Sequence, residues 1–292
     1  MTQPNLFHVD VFASQPLTGN GLTVFLGTEG WTPELMQQLT QEMKHFESIF
    51  LSDISGSTAT ARIFTVEEEL PFAGHPVLGA AAVLHRCMTP EASEQDWLMR
   101  LAAGDIPVKT QKLGKHFVAT MNQGAAIFGQ QVSGAALNNI LDKLGLQTQD
   151  LAADLPAQVV STGLPYLIVP VKPEALPKIA FSTQNGPELE TLLAALGARF
   201  VFMLDVAGRE LRTWDNLGRV EDVATGSAAG PAAAYLFSQQ LADPNQTLEL
   251  AQGRFAGRPS KIRVKRGENH ALFVSGEVWP VSHGVLDTDT FL

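Results

Sequence analysis

The sequence predicts an α+β protein made of two similar halves. Three observations carry that expectation. The chain has 292 residues, enough for two cores at about 150 residues per domain. Apolar residues make up 45% and charged residues 17%, the balance of a compact globular chain with a sparsely charged surface. Four sequence features also recur in the same order roughly 150 residues apart, the mark of an internal duplication.

The first feature is a helix opening at Thr32-Pro33-Glu34-Leu35, where Thr32 suits the cap and Pro33 the first helical position. Leu35, Leu39 and Met43 follow at helical spacing. Its echo is Gly186-Pro187-Glu188-Leu189, with Leu189, Leu193 and Leu196 on one face. Each helix runs into a strand, Phe46 to Leu51 in the first half and Phe200 to Leu204 in the second. An Arg-x-aromatic strand comes next in both, Arg62-Ile63-Phe64 and Arg212-Thr213-Trp214. Last come an acidic pair, a glycine turn and an Ala-rich helix. In the first half these are Glu68-Glu69, Gly74 and the run from Gly79 to Leu84; in the second, Glu221-Asp222, Gly226 and the run from Gly230 to Leu236.

Between the halves, residues 134 to 145 predict a polar helix, and the strand around Phe117-Val118-Ala119 marks the end of the first domain. We place the domains at residues 1–118 and 119–280, with 281–292 returning to complete the first. A basic strand, Lys261 to Lys265, precedes two separate strand-like pieces, Ala271 to Val274 and Glu277 to Trp279. Halves of this kind are expected to pack about a pseudo-twofold axis, and pockets form commonly at such interfaces.

Charge and composition remove several function classes. Twenty Lys and Arg against thirty Asp and Glu leave a net charge of −10, which opposes a broad footprint on nucleic acid or an anionic membrane. Anions must therefore be captured locally. One cysteine, Cys87, cannot make an internal disulfide and excludes a two-thiol mechanism; its place in the Ala-rich helix predicts an inert buried thiol. The opening MTQPNLFHVDVF lacks a basic stretch leading into an apolar one, and no run approaches the roughly 20 apolar residues of a membrane span. A soluble, unexported protein of the reducing cytoplasm is the expectation. His45-x-Glu47 resembles half of a deaminase zinc motif without its Pro-Cys-x-x-Cys partner, so no metal is expected. Gly19-Asn20-Gly21 lacks the third glycine of a dinucleotide fingerprint and no P-loop occurs, so no nucleotide cofactor is expected either.

The chemistry concentrates where the repeat is decorated or broken. A helix start offers unpaired N–H groups and about half a positive charge, so the turns at Gly74 and at Thr225-Gly226-Ser227 are candidate carboxylate cradles. The same glycines are also consistent with simple chain reversal. Glu47 breaks the repeat, because its counterpart stretch from Phe200 to Leu204 is wholly apolar. A carboxyl among Phe46, Ile49 and Phe50 would be discouraged from ionising, which suits a general base and acid. The alternative is an outward-facing residue on a half-buried strand. His75 can donate to a substrate oxygen or relay a proton, or be structural. Asp222 can bind a substrate amine or hydroxyl, or cap the second Ala-rich helix. Glu68, Glu69 and Glu221 read as solvated strand ends.

These residues also carry a likeness. Phe7-His8-Val9-Asp10-Val11-Phe12, Gly19-Asn20, Glu47, the segments from Glu69 to Pro76 and from Glu221 to Ala228, and Arg258-Pro259-Ser260 together resemble the phenazine-biosynthesis isomerase (PhzF-like) family, from about residue 6 to the C-terminus. The resemblance implies the diaminopimelate-epimerase-like fold: two domains, each a curved, mostly antiparallel sheet around a central helix, with the active site in the cleft. In diaminopimelate epimerases and proline racemases two cysteines act from opposite sides; Gly74-His75 and Gly226-Ser227 occupy those turns here. The resemblance further implies a homodimer and a cofactor-free isomerisation of a small carboxylate such as trans-2,3-dihydro-3-hydroxyanthranilate. It maps the base onto Glu47, with His75, Asp222 and Ser227 assisting. Phe46, Val77 and Val223 depart from the family pattern, which points to a different pocket. An amino-acid epimerase, which needs a second proton carrier opposite Glu47, and a noncatalytic carboxylate-binding protein are the rival readings.

Overall fold

The computed structural model describes residues 5–215 and 218–290. They form two compact units, residues 1–122 with 275–292, and residues 123–274. The boundaries expected after 118 and 280 fall inside two long strands, which sequence spacing cannot subdivide.

The first unit is a ring of strands around a helix. In chain order it contains β1 (Leu6–Val11), β2 (Asn20–Leu26), α1 (Pro33–Met43), β3 (Glu47–Ser55), β4 (Thr58–Thr65), β5 (Glu69–Leu70), α2 (Gly74–Met88), β6 (Glu94–Leu101), β7 (Gly104–Leu113) and β8 (His116–Ala125). The order β1-β2-β3-β4-β6-β7-β8 continues to the last strand of the chain, Ala271–Gly284, which also pairs with β1 and closes the ring. Most pairs are antiparallel; β2 with β3 and β4 with β6 are parallel, each parallel pair joined through a helix. Helix α1 starts as expected, with Thr32 accepting from the Leu35 N–H at 3.3 Å and Pro33 in the first turn. It ends at Lys44, a left-handed residue. Its buried face centres on Met36, Leu39 and Thr40, flanked by Leu35 and Met43, and rests on Phe25, Trp31, Phe50 and Phe64.

Helix α2 runs through the ring and is buried from Gly74 to His85. Its small residues are a consequence of that enclosure. A Cβ on Gly79 would stand 2.4 Å from Leu22 Cδ2 and 3.0 Å from Val11 Cγ2, so only glycine lets these strands close on the helix. The last turn leaves the ring, and Cys87, expected to be buried, is exposed there.

The second unit contains β9 (Ile127–Val132), α3 (Gly134–Lys143), β10 (Ala157–Ser161), β11 (Pro165–Val171), α4 (Gly186–Ala195), β12 (Phe200–Asp205), β13 (Glu210–Arg212), α5 (Gly226–Ser238), β14 (Leu248–Gln252), β15 (Ser260–Arg266) and the start of β16 (Ala271–Gly284). The sheet order is β16-β15-β14-β13-β12-β11-β10-β9. Helices α3 and α4 cover a core of Leu137, Ile140, Leu141, Leu189 and Leu193 against Val169 and Met203. Helix α5 is buried almost throughout, like α2. The parallel pair β11 and β12 is joined through α4, as β2 and β3 are through α1, which reproduces the duplication read from sequence.

One element differs from expectation. The two strand pieces at Ala271 and Glu277 are a single strand, β16. Gly276 between them is no turn: its missing side chain makes room for Phe12, whose ring atoms would come within 2.2 Å of a Cβ. Among the described residues, no helix is long and apolar enough to cross a membrane.

Candidate active site

The first unit assembles its polar group at the starts of three elements. Glu47 opens β3, where it pairs with Leu22 of β2 and Thr65 of β4; His75 is the second residue of α2; Asn20 opens β2. All three are buried, Glu47 at 5% and His75 at 4% exposure. His75 Nδ1 lies 3.4 Å from Glu47 Oε2 and 3.4 Å from Asn20 Nδ2.

At that distance a protonated His75 would form an ion pair with Glu47. Burial argues against the protonated form, and with the nearby positive field of His45 it pushes the His75 pKa down to about 3. The contact is therefore between a carboxyl group and a neutral imidazole. Nδ1 thus faces an amide donor and a carboxyl group at equal distance, while Nε2 is buried and has no hydrogen-bond partner among the described residues.

His45 sits in the turn before β3, with its Nδ1 2.7 Å from Thr23 Oγ1 and its ring tilted against His8 at 4.4 Å. Gly21 lies beside both rings; a Cβ there would meet His45 and His8 at 3.4 to 3.5 Å. Asp10, fully buried, accepts from the Leu17 N–H at 2.7 Å and holds the loop between β1 and β2.

In the second unit the polar group surrounds the start of α5. Asp222 and Thr225 are buried, at 8% and 9% exposure. Asp222 Oδ1 accepts from the Ala224 N–H at 3.2 Å, and its Oδ2 accepts from the Thr225 hydroxyl at 2.6 Å. Asp222 therefore orders its own loop and does not cap the helix. Gly226 begins α5, and its carbonyl accepts from Gln123 Nε2 at 2.9 Å. Ser227 Oγ is 2.7 Å from the Tyr166 hydroxyl. Neither α2 nor α5 has a side-chain cap from its N-cap residue, in contrast to α1. Gly74 and Gly226 stand at those two starts.

Two of the residues read as solvated strand ends have partners. Glu69 takes both donors of Arg62 at 2.7 Å on the surface. Glu221 does the same with Arg212, but there Arg212 is 7% exposed, donates also to the Leu176 carbonyl at 2.6 Å, and is sandwiched by Trp214 and Phe255. The pairing explains why arginine and acid repeat together in both halves.

Sequence reasoning named Glu47, Gly74 and His75, which the structure brings together in the first unit, and Asp222, Thr225, Gly226 and Ser227, which it brings together in the second. It missed Asn20, Thr23 and Gln252 as parts of these networks, and it considered His45 only for a metal motif. The available signal was Asn20 at the start of β2 and Thr23 within it, polar residues in a strand that is otherwise mostly apolar. Among the described residues, no group of three or more His, Cys, Asp or Glu is arranged to hold a metal.

Comparison with known proteins adds four findings. The model of the family described as phenazine biosynthesis-like protein matches residues 9–284. The trans-2,3-dihydro-3-hydroxyanthranilate isomerase of Pseudomonas aeruginosa is 32% identical over 261 residues, covering 88% of each chain. A solved structure described as a "Predicted Epimerase" from the same species superposes with a TM-score of 0.92 at 45% identity, over 98% of this chain and 100% of the other. A hydroxyproline epimerase from Agrobacterium vitis superposes at 0.62 with 13% identity, over 96% and 91%, a likeness of fold alone. The architecture is thus the diaminopimelate-epimerase-like fold.

Proposed function

Because the chain belongs to the phenazine biosynthesis-like protein family, a family of isomerases, we propose that it moves a carbon-bound proton on a small carboxylate substrate, with Glu47 as base and then acid and with no cofactor. The observation that carries this reading is the buried Glu47 carboxyl beside a neutral His75. Glu47 is an acid in the core of a packed unit, at a place where the duplicate half is apolar. Its cost in stability is the kind that function retains.

The steps follow from the groups present. Glu47 removes a proton from the carbon activated by the substrate's conjugated carboxylate and returns it to another carbon of the same system. One carboxyl serves both transfers, so no second base is required. His75 is neutral, serves as a hydrogen-bonding partner to a substrate oxygen and does not itself titrate near neutrality. At the start of α5, Gly226 and Ser227 offer donors that suit a carboxylate, Thr225 spends its N–H on Gln252 and its hydroxyl on Asp222, and Asp222 is an acceptor suited to a hydroxyl or amine. A helix terminus contributes about 0.3 to 2 kcal/mol toward a bound anion, so orientation of the substrate must provide more of the rate. The relative's substrate, trans-2,3-dihydro-3-hydroxyanthranilate, has the required features, and we propose a carboxylate of that class.

Deuterium incorporation from heavy water into candidate carboxylates tests the reading. The wild type should exchange the activated hydrogen, with deuterium appearing at a second carbon, and Glu47→Gln should bind substrate without exchanging it. Deuterium confined to one stereocentre with inversion would instead identify an epimerase. Equal exchange by both proteins would remove Glu47 from the chemistry.

A further inference from the structure

Resting on the isomerase reading, we propose that Gln252 is a positioning residue: through the hydroxyl of Thr225 it fixes Asp222 as a hydrogen-bond acceptor for the substrate. Gln252 is the last residue of β14 and only 1% exposed. Its Oε1 accepts from the Thr225 N–H at 3.0 Å, and its Nε2 donates to the Asp222 carbonyl at 2.8 Å and to Thr225 Oγ1 at 2.9 Å. The two main-chain partners settle which end of the amide is which, since an N–H needs the oxygen and a carbonyl needs the nitrogen.

That orientation has a consequence two bonds away. Because Thr225 Oγ1 receives a proton from Gln252, its own proton is left for Asp222 Oδ2, 2.6 Å distant. Asp222 Oδ1 receives the Ala224 N–H. Both carboxylate oxygens are thereby held as acceptors in one rotamer. The neighbouring Gly253 keeps the arrangement tight. It has φ +80, and a Cβ on it would lie 2.5 Å from the Val223 carbonyl oxygen and 2.3 Å from that of Arg258, so the end of β14 is pressed directly against the loop that carries Asp222. A glutamine that only filled space would not need all three of these bonds.

Four variants test the assignment: Gln252→Met, which removes the amide; Gln252→Glu, which keeps the shape and the acceptor but not the donors; Thr225→Val; and the Gln252→Met, Thr225→Val double. Circular dichroism selects the variants that fold, and the isosteric Gln252→Glu and Thr225→Val keep the test open if Gln252→Met does not. Two readouts are taken on each: kcat and KM for proton exchange, and the ¹³C resonance of the Asp222 side-chain carboxyl without substrate. We expect kcat to fall about tenfold in each single variant with KM within about twofold, the double to be no worse than either single, and the Asp222 resonance to move in all of them. Full kcat in the folded Gln252 variants, losses that add in the double, or an Asp222 resonance unmoved by Gln252→Glu would overturn the proposal. Absence of turnover in every form, wild type included, would sink the isomerase reading alone, and the Asp222 resonance would then decide the hydrogen-bond assignment.

Discussion

The two units follow one plan and differ at the candidate site residues. In each, a helix that begins with Pro-Glu joins two parallel strands, and a helix of small residues that begins with glycine is buried in the unit. The first unit places Glu47 at the head of its third strand and His75 in the first turn of its central helix; the second has the apolar run from Phe200 to Leu204 and Ser227. Conversely, the Arg-acid pair is on the surface in the first unit, between Arg62 and Glu69, and buried under aromatics in the second, between Arg212 and Glu221. A duplicated scaffold has thus exchanged positions between charge and packing: the half that keeps a buried acid beside a buried histidine relegates its arginine to solvent, and the other half does the reverse.

The largest effect that sharpens this contrast is on turnover. Glu47→Gln should lower the exchange rate by about 10² to 10⁴, the range of general acid–base catalysis, measured by NMR of the product, while Ser227→Ala, in the half without a proton carrier, should act on KM more than on kcat. Next come the two arginines. Arg212→Met leaves Glu221 half-buried without its partner and should cost about 3 to 5 kcal/mol in urea unfolding, against about 0 to 1 kcal/mol for Arg62→Met. Equal losses would refute the difference in burial.

Gly79→Ala should cost about 1 to 3 kcal/mol through overpacking on Leu22 and Val11, read from the same unfolding curves. The smallest effect is a change of slope. His75 has its pKa depressed in the folded state to about 3, below the ordinary value of 6.5, so its neutral form favours folding above pH 6.5 and that contribution is lost as pH falls toward 3. Unfolding should take up a proton in that window, and His75→Gln should flatten the acid side of the stability profile there.

Much of the fold was legible because periodicity and cap chemistry are local. Thr32-Pro33, the Pro-Glu echo at Pro187 and both Ala-rich helices appear where the spacing puts them. The failures are nonlocal. Ser275-Gly276 resembles a break until Phe12, far away in sequence, is known to occupy the missing side chain's place. Cys87 shares the helix pattern of its buried neighbours, and only the length of the ring decides that the last turn emerges. The site was legible in its decorated turns and in the asymmetry at Glu47. Asn20 and Gln252 were not, since their bonds to His75 and Thr225 span 55 and 27 residues and leave no period to detect.

The ring of the first unit is closed by β16, which follows the second unit along the chain, whereas the second unit is one uninterrupted segment from 123 to 274. During synthesis the second unit is complete on leaving the ribosome, while the first waits with β1 unpaired on one side until residues 278–284 follow. The unit that carries Glu47 is consequently the last to mature, and a nascent chain arrested just after Val274 should protect the 123–274 segment from protease and leave the earlier one open to cleavage.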